Sequence, residues 1–108
     1  MFARILTFEV KPEKKEDLVK VLKDKVVPIL KKQNGFLEIL PFLPEKMKEE
    51  KVCVISLWAT PSDAERYERD AYAKVHEILK PFLTTRIEVT NYHLESTLCE
   101  RFVEALAA

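Results

Sequence analysis

Tyr67, Tyr72 and His76 lie close together in the second half of the chain. A phenol can orient a phenolic substrate or relay a proton through its hydroxyl, and an imidazole can take up or release a proton. The plainer alternative is that each tyrosine buries its ring and leaves its hydroxyl at the surface, and that His76 is a half-exposed helix histidine. Asn91, His93 and Glu95 form a second polar set, with Asn91 and His93 on one strand face. As metal ligands they are weak, because no second histidine or cysteine cluster accompanies them. Neither Cys53 nor Cys99 has a histidine beside it in sequence, so nothing supports a thiol nucleophile. Gly35 is the single glycine, which leaves no glycine-rich loop to cradle a phosphate, and nucleotide cofactors are not expected. Trp58 can wall a cavity or simply fill the core, and the two roles are compatible.

The elements that must position these groups follow from periodicity. Phe2 to Val10 reads as a strand that stops at Lys11-Pro12. Glu13 to Gln33 reads as a helix whose apolar stripe is Leu18, Val21, Leu22, Val26 and Ile29. Pro28 removes the bond to residue 24 and predicts a kink or break there. Asn34-Gly35 is the stop, with Gly35 as a left-handed cap. Phe36 to Leu43 reads as a second strand, and Pro41 and Pro44 assign it to a sheet edge. After the mixed-charge loop from Glu45, Lys51 to Ala59 is the clearest strand. Thr60-Pro61-Ser62-Asp63 then has the pattern of a capped helix start. That helix runs to about Phe82, striped by Ala64, Tyr67, Ala71, Val75, Ile78 and Leu79, with a bend near Asp70. Ile87 to Leu94 is the fourth strand. Residues 98–108 place Cys99, Phe102, Val103 and Leu106 on one face of a short helical tail, outside a main domain over 1–97.

Strand-helix-strand-strand-helix-strand is the ferredoxin-like, split βαβ plan of the α+β class: an antiparallel sheet with strands one and three in the middle. The totals suit one such domain. The 108 residues are 47% hydrophobic and 33% charged, with 18 acidic and 18 basic side chains. That balance gives nucleic acid no electrostatic hold. No apolar run approaches the ~20 residues that span a bilayer, and the first residues lack the plan of a signal peptide. With Cys53 read as a buried free thiol, a reducing cytoplasm is the expected compartment.

Both helices of this plan cover one sheet face, so the other should be polar. Strand three is apolar on both sides: Val52, Val54, Ser56 and Trp58 on one, Cys53, Ile55, Leu57 and Ala59 on the other. Leaving either set in water forgoes ~1.5–3 kcal/mol per large side chain. A second copy of the chain is the expected cover, with the tail as the alternative.

The pattern resembles the antibiotic-biosynthesis-monooxygenase-like family of dimeric α+β barrels. The residues that carry the resemblance are Phe2-Ala3-Arg4, Val27-Pro28-Ile29-Leu30 leading into Gln33-Asn34-Gly35-Phe36, Ile55-Ser56-Leu57-Trp58, Ala64-Glu65-Arg66-Tyr67, and Thr90-Asn91-Tyr92 ending near Ser96-Thr97. It covers residues 2–97. The resemblance implies a homodimer and a small-molecule pocket between helices and sheet. Some members oxidise aromatic polyketides without metal or flavin. On that basis Tyr67, Tyr72 and His76 are the candidates for proton handling or orientation, and Thr7, Phe36, Trp58 and Asn91 those for substrate contact. No cofactor is implied, with haem the alternative. The haem-degrading branch uses a histidine near His76, but Tyr67 and Thr7 stand near its tryptophan and asparagine positions. A ligand-binding barrel without catalysis is the other reading.

Overall fold

The computed structural model describes residues 1–46, 48–95 and 98. The strands are β1 (Phe2–Glu9), β2 (Phe36–Phe42), β3 (Lys51–Trp58) and β4 (Glu88–His93). They pair antiparallel in the order β2-β3-β1-β4. This is the expected ferredoxin-like topology, with the proline-bearing strand at an edge. The expected tail, Leu98 apart, and Cys99 fall outside the described residues. Among those described, no helix is long and apolar enough to cross a membrane.

Residues directly across a ladder share a sheet face. Phe2, Arg4, Leu6 and Phe8 of β1 therefore share a face with Trp58, Ser56, Val54 and Val52 of β3. That face meets the helices, and the core of Phe8, Leu18, Val26, Val52, Trp58 and Val75 lies between them. Ala3, Ile5, Thr7 and Glu9 share the opposite face with Leu57, Ile55, Cys53 and Lys51. No element among the described residues covers that face.

The first helical region begins as a 3-10 turn at Pro12–Lys14, continues as α1 (Lys15–Val21), and widens to a π turn over Leu22–Val26 before α2 (Val27–Lys31). Pro28 thus neither breaks nor ends the helix. The widened turn before it, in which the Val27 N–H donates to the Leu22 carbonyl, makes room for a ring that would clash with a regular turn. The same widening explains the stripe. Leu18, Leu22, Val26 and Leu30 are buried, a four-residue spacing that outruns the 3.6-residue α period. Leu30 thereby replaces Ile29 on the inner face, and Val21 moves to its margin.

Gly35 ends this region at φ +81°. A Cβ there would overlap the Asp63 carboxylate, and the Gly35 carbonyl accepts the Ala59 N–H at 2.8 Å. One residue thus ties the end of the first helical region to the start of the second. Gly35→Ala should destabilise the protein by about 1–3 kcal/mol, since left-handed backbone is strained for a residue with a side chain. Adding Asp63→Ala should restore only the steric part. Urea midpoints of both variants check this, and an unchanged midpoint for Gly35→Ala counts against it.

α3 (Pro61–Asp70) starts on Thr60, whose hydroxyl accepts the Asp63 N–H at 3.2 Å. The bend expected near Asp70 is at Ala71, whose φ of −134° is non-helical. α4 (Tyr72–Leu79) follows, with a 3-10 turn at Lys80–Phe82. Cys53 is not the buried thiol expected of it. It is a half-buried free thiol on the uncovered sheet face, because odd-numbered positions of β3 look away from the helices.

Candidate active site

Aromatic rings from four elements meet on the helix side of the sheet. Phe36 opens β2 and is the cross-strand partner of Trp58, which closes β3. Their rings pack edge to face with centroids 5.5 Å apart. Tyr67, on the inner face of α3, stacks on Trp58 at 4.8 Å and 26°. Across the Ala71 joint, Tyr72 sets its edge against Tyr67 at 6.0 Å, and His76 lies one turn further along α4 at 6.1 Å from Tyr72. The result is one unbroken row: Phe36, Trp58, Tyr67, Tyr72, His76. Trp58 is fixed at its polar end, because its Nε1–H donates to Ser56 Oγ at 2.9 Å. The Ser56 hydroxyl in turn donates to the Arg4 carbonyl at 3.4 Å.

A cation lies against this row. Arg4, in the middle of β1, is 2% exposed. Its guanidinium carbon sits 4.4 Å from the Tyr72 ring centroid and 5.9 Å from that of Tyr67, within cation–π range. Nη1 pairs with Glu68 Oε2 at 3.0 Å, and the Glu68 side chain is 51% exposed. Nε and Nη2 are buried and have no hydrogen-bond partner. Arg4 also borders a small apolar cavity of about 20 Å³, shared with Leu22, Val26, Val54, Tyr67 and Val75. That is room for about one water molecule.

These surroundings set the protonation of the phenols. Burial pushes the Tyr67 hydroxyl well above the ordinary tyrosine range, against the opposing pull of Arg4, with Tyr72 and Glu68 adding to the rise. Burial also raises Tyr72, again opposed by Arg4. Both side chains therefore stay protonated at neutral pH, as hydrogen-bond donors and not as bases. His76 is the group in the row that can accept a proton.

A family model for antibiotic biosynthesis monooxygenase matches residues 1–77. The chain belongs to the antibiotic biosynthesis monooxygenase family. The matched residues run from β1 into α4 and include the whole ring row and Arg4. Among solved structures, the chain is similar to the ActVA-Orf6 monooxygenase of Streptomyces coelicolor in complex with nanaomycin D. That match has 18% identity and a TM-score of 0.77, covering 91% of this chain and 90% of the other. It is also similar to SnoaB, a cofactor-independent oxygenase from Streptomyces nogalater, at 19% identity and a TM-score of 0.66 over 90% and 95% of the two chains. Rv0793 from Mycobacterium tuberculosis shares 13% identity with a TM-score of 0.67, over 91% and 98%. Identities this low show the shared fold alone. None of the curated proteins matches the chain.

Within this family frame, the structure gathers five of the seven residues singled out in sequence: Phe36, Trp58, Tyr67, Tyr72 and His76. Asn91 stands directly across from Arg4 on β4, on the helix-side face, and is exposed. Thr7 is not with them. Inward positions on β1 are even-numbered, so Thr7 lies on the opposite sheet face, bordering a polar groove with Glu9, Lys51, Arg86 and Glu88. His93 Nε2 and Glu95 Oε2 are 3.8 Å apart, and among the described residues no group of three potential ligands could hold a metal ion. His76 does not border the small cavity beside Arg4. Arg4 and Glu68 are the functional candidates that sequence reasoning missed. The signal was present in the alternation Phe2, Arg4, Leu6, Phe8, where a charge occupies an inward position among apolar neighbours.

Proposed function

We propose that the protein is a cofactor-independent monooxygenase acting on a small, electron-rich phenol or enol held between the helices and the sheet. The observation that carries this reading is the row of rings from β2 to α4 with a buried, incompletely paired cation against its face. Aromatic walls suit a planar substrate, and a fixed cation stabilises negative charge as it develops on substrate oxygen. The family membership and the oxygenases of the same fold support it.

In this reading His76 accepts a proton from the substrate, and Arg4 and the Tyr67 and Tyr72 hydroxyls stabilise the resulting anion. The carbanion form of that anion adds dioxygen to give a peroxide. His76 returns its proton to the peroxide, the remaining hydrogen on that carbon leaves as a proton, and the O–O bond breaks, one oxygen staying on carbon as a carbonyl and the other leaving as hydroxide that the released proton converts to water. Dioxygen is the oxidant and the substrate CH₂ group is what is oxidised. The apolar walls exclude bulk water from the reactive anion.

We propose further that the uncovered sheet face packs on a second copy of the chain. Its middle is apolar, with Ile5 and Leu40 flanking Ile55, and its largest exposed groups are Phe42 and Tyr92, 54% and 57% exposed.

Oxygen uptake with anthrone-type substrates tests the activity. Uptake with formation of the quinone, and its loss in His76→Ala, is the expected result. Folded protein that shifts its melting temperature with such compounds but consumes no oxygen would replace this reading with a binding barrel that does no chemistry.

A further inference from the structure

Arg4 is buried to 2% exposure, and its ion pair is made through Nη1. Its Nε and Nη2 are buried with no hydrogen-bond partner. Guanidinium nitrogens out of water are almost always hydrogen-bonded, and leaving them bare opposes folding. Nε and one Nη form the side of the fork that grips an oxyanion. The partner that Nη1 does have, Glu68, is half exposed. The Tyr72 ring, itself only half-buried, covers the guanidinium at 4.4 Å. Asn91, exposed on β4, stands on the same sheet face directly across from Arg4.

We propose that Nε and Nη2 of Arg4 form an oxyanion site that takes the ligand as a planar phenolate or enolate, with Glu68 as the built-in competitor that sets its affinity. This rests on the site proposed above but not on its oxygen chemistry. The ligand oxygen supplies the partner that Nε and Nη2 lack, at the edge of the guanidinium and in its plane. Glu68 draws part of the Arg4 charge to itself. A neutral phenol gains little from the fork, whereas an anionic oxygen gains a charge-assisted pair in a setting that water does not screen. The site therefore discriminates by protonation state and favours ligands whose hydroxyl is already acidic.

A nitrophenol is the probe, because its phenolate is coloured and its phenol is not. Bound to the full-length protein, it should titrate about one unit or more below the free compound, which corresponds to about ten-fold tighter binding of the anion. Glu68→Gln removes the competitor without touching the core. It should tighten phenolate binding about two- to five-fold, the range of a partly exposed ion pair, and leave binding of the neutral phenol unchanged. Arg4→Met, where its circular dichroism matches the parent, should abolish the downward shift. A bound nitrophenol that titrates at or above the free value overturns the proposal. So does failure of both protonation states to bind, and so does weaker phenolate binding in Glu68→Gln. Oxygen uptake without anion preference keeps the oxygenase reading and removes this one. Anion preference without uptake does the reverse.

Discussion

Trp58→Ala should lower the unfolding free energy by about 3–5 kcal/mol, the usual range for deleting a large buried aromatic. Trp58 is fully buried at 0% exposure. It is the member of the ring row that touches both the sheet edge and the helix: Phe36 packs on it at 5.5 Å and Tyr67 stacks on it at 4.8 Å. Alanine would remove both ring pairs, each worth about 0.5–1.5 kcal/mol beyond area. It would also leave a cavity that the sheet cannot close, because neighbouring Ser56 and Leu57 are held in the β1–β3 ladder. A domain of this size has only about 5–15 kcal/mol of stability to lose, so the variant should sit near the edge of folding. Trp58→Phe keeps a ring against Tyr67 and should lose less. What it does lose includes the indole N–H bond to Ser56, about 0.5–1.5 kcal/mol. Trp58 is the chain's only tryptophan, so the comparison needs circular dichroism in urea and not fluorescence. A loss under about 1 kcal/mol for Trp58→Ala would mean that the ring row is not part of the folding core.

Much of this arrangement is legible in the residues, for reasons that are local. Gly35 is needed where the backbone turns left-handed, Thr60 and Pro61 start a helix by their own chemistry, and Pro41 cannot sit inside a sheet. Each of these signals acts within a few residues and survives any tertiary context. The ring row is legible only in part. Phe36, Trp58, Tyr67, Tyr72 and His76 stand out by type, but their meeting depends on strand pairing that brings β2 to β3 and on a helix laid across them. The misreadings have the same origin. Pro28 predicts a kink or break if the helix must stay α, and the π turn at Leu22–Val26 is an accommodation that periodicity does not reveal. Resemblance places Thr7 at the site and apolar surroundings bury Cys53, whereas strand parity decides which face each occupies. Arg4 is a charge within an apolar strand. Counting inward from Leu6 and Phe8 places it inside, and its pairing with Glu68 and Tyr72 becomes visible only when α3 and α4 are in place.

Ile55→Glu should convert the proposed two-subunit species to a single 12.6 kDa chain without unfolding it. Ile55 lies in the middle of the uncovered face, paired with Ile5 on β1 and Leu40 on β2. In an isolated chain its side chain is only half-buried, so a glutamate there would stay hydrated and cost little beyond strand preference, within about 1 kcal/mol. In a two-fold pair the same surface patch meets itself. Each glutamate would then be buried in an apolar interface with its symmetry mate nearby, a like-charge pair without a counter-ion. Burying unpaired charge costs several kcal/mol per ion, enough to offset what a small interface gains. The effect should be largest at neutral pH and relieved in acid, because a carboxyl placed there is neutral when protonated and the repulsion is lost. Sedimentation equilibrium of both proteins at matched concentration reads the outcome directly. Parent protein that sediments as a single chain at micromolar concentration would remove the paired-sheet assembly. The apolar patch around Ile55 would then need a different cover.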